Sequence, residues 1–213
     1  LQDEVYRLGV DVRLGTYVEA EDVSAEAPDR VIVACGSTPR MDGVQASNPG
    51  EPVRGMEAAH VLSTHDLFLN AALDLGRTAV VIDDLGHYEA IAAAEHLVAK
   101  GVEVTYVTRH VSFGPLVESA LMTVPALQRL SRGAFTVKTR TRAIAIEKDG
   151  VLIGPTYAPA GSNQVTKVPA DTVVFVSANR ANRELHDDLA ARGVAVRVVG
   201  DANAPRFLPT AIR

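Results

Sequence analysis

The chain has 213 residues, 47% hydrophobic and 22% charged, with a formal net charge of −5; this is room for one large domain or two small ones. The acidic balance excludes an electrostatic footprint for nucleic acid or an acidic membrane surface, and the lack of Trp with few other aromatics disfavours base stacking. The single cysteine, Cys35, excludes an internal disulfide and a cysteine metal cluster, and with no bilayer-length apolar run it points to a cytoplasmic protein.

Residues 1–9 read as the last turns of a helix closed by a Gly cap. Residues 10–18 alternate loosely and predict a strand, and residues 19–29 are polar and turn-forming. Arg30-Val-Ile-Val-Ala-Cys35 is a short apolar run without polar alternation, which predicts a strand buried on both faces. Its Cys35 then reads as a buried, inert thiol. Residues 41–56 carry Gly, Pro, Asn and Ser without periodicity, a loop or linker. Ser63-Thr-His-Asp66 predicts a helix start, with Ser63 as the cap, running to about residue 75 before Gly76.

Ala79-Val-Val-Ile-Asp-Asp-Leu-Gly-His-Tyr-Glu-Ala90 is the most informative stretch. A β run enters a turn, an Ala-rich helix over residues 89–100 leaves it, and a second β run over 102–107 follows, which is a βαβ unit. In dinucleotide sites a G-x-G-x-x-G turn at this place lets the pyrophosphate approach the backbone at a helix N-terminus. Aligned on the strand end, the three glycine positions are Asp83, Leu85 and Tyr88, and Gly86 is one step out of register. Two carboxylates thus stand where a phosphate would sit, and like charges about 4 Å apart repel by roughly 4 kcal/mol at an effective dielectric near 20.

Further on, residues 120–132 predict a helix with Pro125 near its start, and residues 136–147 a bent strand or strand pair. Asp149-Gly150 marks a hairpin into Val151-Leu-Ile153, and residues 155–163 form a loop. Asp171-Thr-Val-Val-Phe-Val176 is a second buried strand. A helix over 184–192, a strand over 194–199 and Gly200-Asp201 follow, and residues 208–213 look like another helix just begun. The pattern is α/β in two units, residues 76–177 inserted between residues 1–75 and 178–213, and both chain ends look cut inside structure.

Three strings carry a resemblance. Val31-Ile-Val-Ala-Cys-Gly-Ser-Thr-Pro-Arg40 resembles the Ala-Thr-Gly-Ser-x-Pro-Arg segment of glutathione-reductase-like flavoproteins, with Cys35 replacing Thr. Val174-Phe-Val-Ser-Ala-Asn-Arg-Ala-Asn182 followed by Leu185 resembles the strand end that leaves their pyridine-nucleotide domain, and Val198-Val-Gly-Asp-Ala-Asn-Ala-Pro-Arg206 their Gly-Asp flavin-contact motif. Together with the Asp-Asp-x-Gly-His-Tyr turn, the chain resembles the C-terminal part of a trimethylamine dehydrogenase or 2,4-dienoyl-CoA reductase-like protein of the NADH:flavin oxidoreductase (old yellow enzyme) family. The resemblance implies two Rossmann-like domains of the FAD/NAD(P)-binding type, one inserted in the other and the outer one truncated. It implies a parent with an N-terminal TIM barrel holding FMN and an iron–sulfur cluster, absent from this chain, and a homo-oligomer of that parent. The two domains would hold FAD and NADPH as in the reductases, or be vestigial with ADP as in the amine dehydrogenases. The loss of glycine at Asp83 leans towards the latter. With the first FAD-domain glycine loop also missing, this chain by itself is expected to hold no cofactor.

The cofactor candidates are Gly36, Gly200, Asp201 and Arg109; no catalytic or metal residue is assigned. Gly36 permits close approach of a flavin or only the turn into Pro39. Asp201 accepts from ribityl or ribose hydroxyls or only turns the chain after a strand. Arg109, after the second β run of the βαβ unit, is placed for a 2′-phosphate, or is a solvated surface residue. Asp83 and Asp84 cap backbone N–H groups in place of a phosphate, or touch a ribose or metal. The six His residues show no zinc-ligand spacing; His87, in the altered turn, touches a ligand or simply begins the helix.

Overall fold

A computed structural model describes residues 2–159 and 161–205. Its first elements are α1 (Gln2–Arg7), α2 (Ala20–Glu26), β1 (Val31–Val33), β2 (Ser37–Thr38), β3 (Val61–Leu62) and α3 (Thr64–Leu69). There follow β4 (Thr78–Asp83), α4 (Tyr88–Ala99), β5 (Glu103–Thr108), a 3₁₀ turn (Pro115–Ala120), α5 (Thr123–Leu130) and β6 (Phe135–Lys138). The chain continues through β7 (Thr141–Glu147), β8 (Gly150–Pro155), β9 (Thr166–Pro169), β10 (Thr172–Val176) and β11 (Arg180–Ala181), then α6 (Glu184–Ala191), β12 (Val196–Val198) and a second 3₁₀ turn (Gly200–Ala202). Two compact units result, one from residues 2–37 with 181–205 and the other from residues 38–180.

The larger unit is built on a five-stranded sheet in the order β3-β10-β4-β5-β6, every pair parallel. Parallel neighbours need crossovers, and α4 and α5 supply them between β4 and β5 and between β5 and β6. Successive strand residues point to opposite faces, so Ala79 and Val81 pack with Ala90, Ala94 and Leu97 of α4, while Val80 and Ile82 pack with Val151 and Ile153 of β8. Burial on both faces is why residues 79–82 read as an unbroken apolar run. The small side chains of α4 face the sheet: Ala90, Ala93 and Ala94 are buried. On the other face lies the antiparallel meander β7-β8-β9.

Some expectations fail, each for a packing reason. Residues 10–18 form no strand; they are exposed and pair with no strand among the described residues. The 30–35 run yields only β1, which among the described residues pairs with β12 alone, so Ile32 is 69% exposed and Cys35 is exposed rather than buried. The helix from Ser63 ends at Leu69, and β9, not anticipated from the pattern, joins β8 through four residue pairs. The hairpin turn is Lys148-Asp149, with Gly150 already paired to Glu147. Residues 38–75, expected in the outer unit, fold with the central sheet: β3 pairs with β10, and Leu67 of α3 enters the same core as α4. The expected helix over 208–213 lies outside the described residues.

The smaller unit holds the parallel pair β1–β12 with α2 and α6. Its core is Ala20, Val33 and Leu189, with Val23, Val31, Leu185, Val194 and Val196 packed against it.

Candidate functional site

Strand β4 ends on Asp83 between two parallel neighbours, paired with Val176 of β10 and Thr108 of β5. The C-terminal edge of such a sheet is where open α/β folds bind ligands. Both carboxylates of the turn are buried, Asp83 to 1% and Asp84 to 4% exposure, yet they point apart. Asp83 Oδ1 accepts from the backbone N–H of Leu85 (3.1 Å) and of Gly86 (2.7 Å), and its Oδ2 accepts from the Thr108 hydroxyl (2.9 Å). The turn's own amides are therefore occupied by a side chain, which is the capping reading of Asp83.

Asp84, of the opposite strand parity, turns to the other side. Its Oδ2 accepts from the Ala46 N–H (2.7 Å), and the Ser177 hydroxyl lies 3.3 Å from it while donating to the Val44 carbonyl at 2.9 Å. Arg109 Nε donates to the Asp84 carbonyl (2.8 Å) and lies 3.1 Å from Asp84 Oδ1. Asp84 thus ties the loop over residues 44–46 to the ends of β4 and β10. Burial lifts its carboxyl above the ordinary Asp range, against the opposing pull of the Ala46 N–H, Arg109 and Ser177. Burial also drives the Tyr106 hydroxyl well up, with the charge of Asp83 adding to it, and lowers the His87 imidazole.

Gly86 has φ +73°, and a Cβ there would meet the His110 ring at 2.8 Å and Pro115 Cδ at 3.0 Å. Leu116 donates its N–H to the Gly86 carbonyl (3.1 Å). Residues 110–116 thus cover the glycine against which a pyrophosphate would lie. Helix α4 begins after His87, whose side chain makes no cap hydrogen bond and packs edge-on to Tyr88.

Arg109 belongs to this turn, held by Asp84; neither sequence reading anticipated that partner. Gly36, Gly200 and Asp201 belong to the smaller unit. Gly36 (φ +72°) follows β1, and a side chain there would meet nothing within 4 Å; its carbonyl accepts from Asn182 N–H (3.0 Å). Gly200 (φ +62°) follows β12 and opens the turn that contains Asp201. Both glycines therefore lie past the C-terminal ends of adjacent parallel strands. Arg206, the last residue of the Gly-Asp string, lies outside the described residues.

Thr108, Ser177, His110 and Pro115 were missed from sequence. Strand parity could have found the division of labour between the two acids, since Asp83 shares a face with Val81 and Asp84 with Ile82. The other contacts are long-range, between the ends of different elements, and leave no local signal. Among the described residues no cluster of His, Cys, Asp or Glu could hold a metal ion, and no helix is long and apolar enough to cross a membrane.

No family model matches the sequence. It is 34% identical over 144 residues to a probable N-methylproline demethylase of Rhizobium meliloti, covering 68% of this chain and 20% of that one. It is 30% identical over 203 residues to a bilirubin reductase of Mediterraneibacter gnavus, covering 95% and 29%. Among solved structures, a 6-hydroxypseudooxynicotine amine oxidase of Pseudomonas geniculata superposes with TM-score 0.85 at 27% identity, over 94% of this chain and 30% of that one. A histamine dehydrogenase of Rhizobium sp. 4-9 superposes with TM-score 0.81 at 25% identity, over 92% and 31%. The chain spans under a third of the length of each of these proteins.

Proposed function

The chain belongs to the trimethylamine dehydrogenase/2,4-dienoyl-CoA reductase-like class of flavoprotein oxidoreductases, and from that membership we propose that it is the nucleotide-binding-like region of a flavin-dependent enzyme that oxidises amines or reduces enoyl groups. In this reading the chain comprises two Rossmann-like domains, the outer one incomplete. The FMN and iron–sulfur cluster reside in a barrel outside this chain, whose single cysteine cannot ligate such a cluster.

The observation that carries the reading is the Asp83 carboxylate held by the N–H groups of Leu85 and Gly86. In this reading the larger unit derives from a coenzyme domain, but the Asp83 side chain takes the turn amides that a phosphate would use, so we expect no NADPH diphosphate there. The smaller unit offers the better fit to a nucleotide. Gly36 is open on its Cα side, and Gly200 and Asp201 follow the neighbouring strand; a ligand ribose or ribityl hydroxyl could donate to the Asp201 carboxylate. A bound flavin would supply the electron-accepting ring, and these residues would hold only its non-reacting end. An ADP that merely stabilises assembly is a second reading, favoured by the same blocked turn. The partners in both are the parent's barrel and a second copy of the parent, in the cytoplasm.

Calorimetric titration of the full chain with ADP, FAD and NADPH tests this. Binding of FAD or ADP without NADPH is expected, and FAD against ADP separates the two readings. Micromolar NADPH binding that is abolished by substitutions in the β4–α4 turn would overturn the proposal.

A further inference from the structure

We propose that the outer face of the β7–β8 hairpin carries a binding site for a small organic carboxylate with an apolar body. The alternate residues of this hairpin, Ala143, Val151 and Ile153, enter the core, which leaves Arg142, Ile144 and Leu152 on the opposite side. There they line a cavity of about 550 Å³, walled also by Arg54, Glu51 and Pro159. That volume is in the range of small-molecule sites.

Two features mark it as more than a surface dent. Arg142 is only 7% exposed, and its one partner among the described residues is Glu51, 3.7 Å away and 49% exposed. A guanidinium has five N–H donors, and those of Arg142 make no hydrogen bond to any described residue, so they are left for a ligand in the cavity. Arg54 is fixed in place by its backbone: its carbonyl accepts from Ile146 N–H at 2.7 Å. That approach needs glycine at the next position, because a Cβ at Gly55 would lie 2.1 Å from the Ile146 carbonyl oxygen. The backbone is thus built to bring a second, exposed arginine to the cavity wall. Two arginines against one partly solvated glutamate leave about one positive charge. That matches a monoanion, and the planar guanidinium fork matches a carboxylate. Ile144, Leu152 and Pro159 receive the apolar body.

The test is calorimetry on the full chain with benzoate, benzamide and inorganic phosphate. Benzoate is expected to bind, with neutral benzamide and phosphate at least about tenfold weaker, because each lacks one half of the match. Arg142→Met should weaken benzoate by about tenfold or more. Because Arg142 is buried, Arg54→Met at an exposed position serves where that variant fails to fold, with about a threefold loss. Glu51→Gln should tighten benzoate by about threefold, since it removes the competing carboxylate. No benzoate binding, benzamide or phosphate binding as well as benzoate, weaker binding in Glu51→Gln, or unchanged affinity in folded arginine variants would each overturn the proposal.

Discussion

Replacing Asp83 by Ala isolates the contact on which the reading of the turn depends. The wild-type carboxylate satisfies the N–H groups of Leu85 and Gly86 and the hydroxyl of Thr108, at 3.1, 2.7 and 2.9 Å. At 1% exposure, water does not replace it. An orphaned buried donor costs about 1–3 kcal/mol, and removal of a buried charge returns part of that. The net expectation is a loss of about 3 kcal/mol. Asp83→Asn keeps an oxygen towards both N–H groups, and Thr108 can turn its proton away to accept from the new amide; its loss should be about 1 kcal/mol. For a chain of this size 1 kcal/mol shifts Tm by about 2–4 °C, so the Ala variant should melt about 6–12 °C lower and the Asn variant about 2–4 °C lower. Urea titration with an unchanged slope would give the same ranking as free energies. An Ala variant within about 1 kcal/mol of wild type, or an Asn variant as damaged as Ala, would refute the argument that this carboxylate replaces an anion in the turn.

Other consequences follow from neighbouring positions. The raised carboxyl of Asp84 means that the folded state holds its proton at pH values where the unfolded state has released it. Stability from this group is therefore complete below the ordinary Asp value and declines as pH rises through the folded one. Asp84→Asn removes that decline, so the stability difference between variant and wild type, followed by urea titration from acid to neutral pH, should shift in the variant's favour; a pH-independent difference would count against it. Gly86→Ala places a Cβ in a left-handed residue against His110 and Pro115 and should cost about 2 kcal/mol in the same assay. At the start of α3, Ser63 accepts from Asp66 N–H at 3.1 Å while Asp66 reaches back to Ser63 N–H at 2.9 Å. Ser63→Ala should lose about 1 kcal/mol, and an effect below a few tenths would show that the reciprocal cap contributes little.

Much of the larger unit was legible because its signals are local. The apolar runs at 79–82 and 172–176, the Ala-rich helix between glycine and strand, and the cap at Ser63 each sit within a dozen residues. The smaller unit misled. Its β1 run has the composition of a doubly buried strand, but among the described residues only β12 lies beside it, so Ile32 and Cys35 face outward. A strand's composition records the neighbours it is suited to, and the partners actually beside it decide its burial.

The order of α/β elements, the displaced glycine at 86 and the acidic pair at 83 and 84 are properties of the amino-acid string, set by hydrophobic period and turn chemistry. Tertiary structure alone decided that Asp84 meets Ala46 and Arg109, that His110 and Pro115 cover Gly86, and that residues 38–75 join the central sheet. It also brought Arg54 beside Arg142, 88 positions later in the chain. The reason is physical: periodicity fixes the face on which a side chain lies, whereas the groups that meet across that face come from strands adjacent in space and distant in sequence.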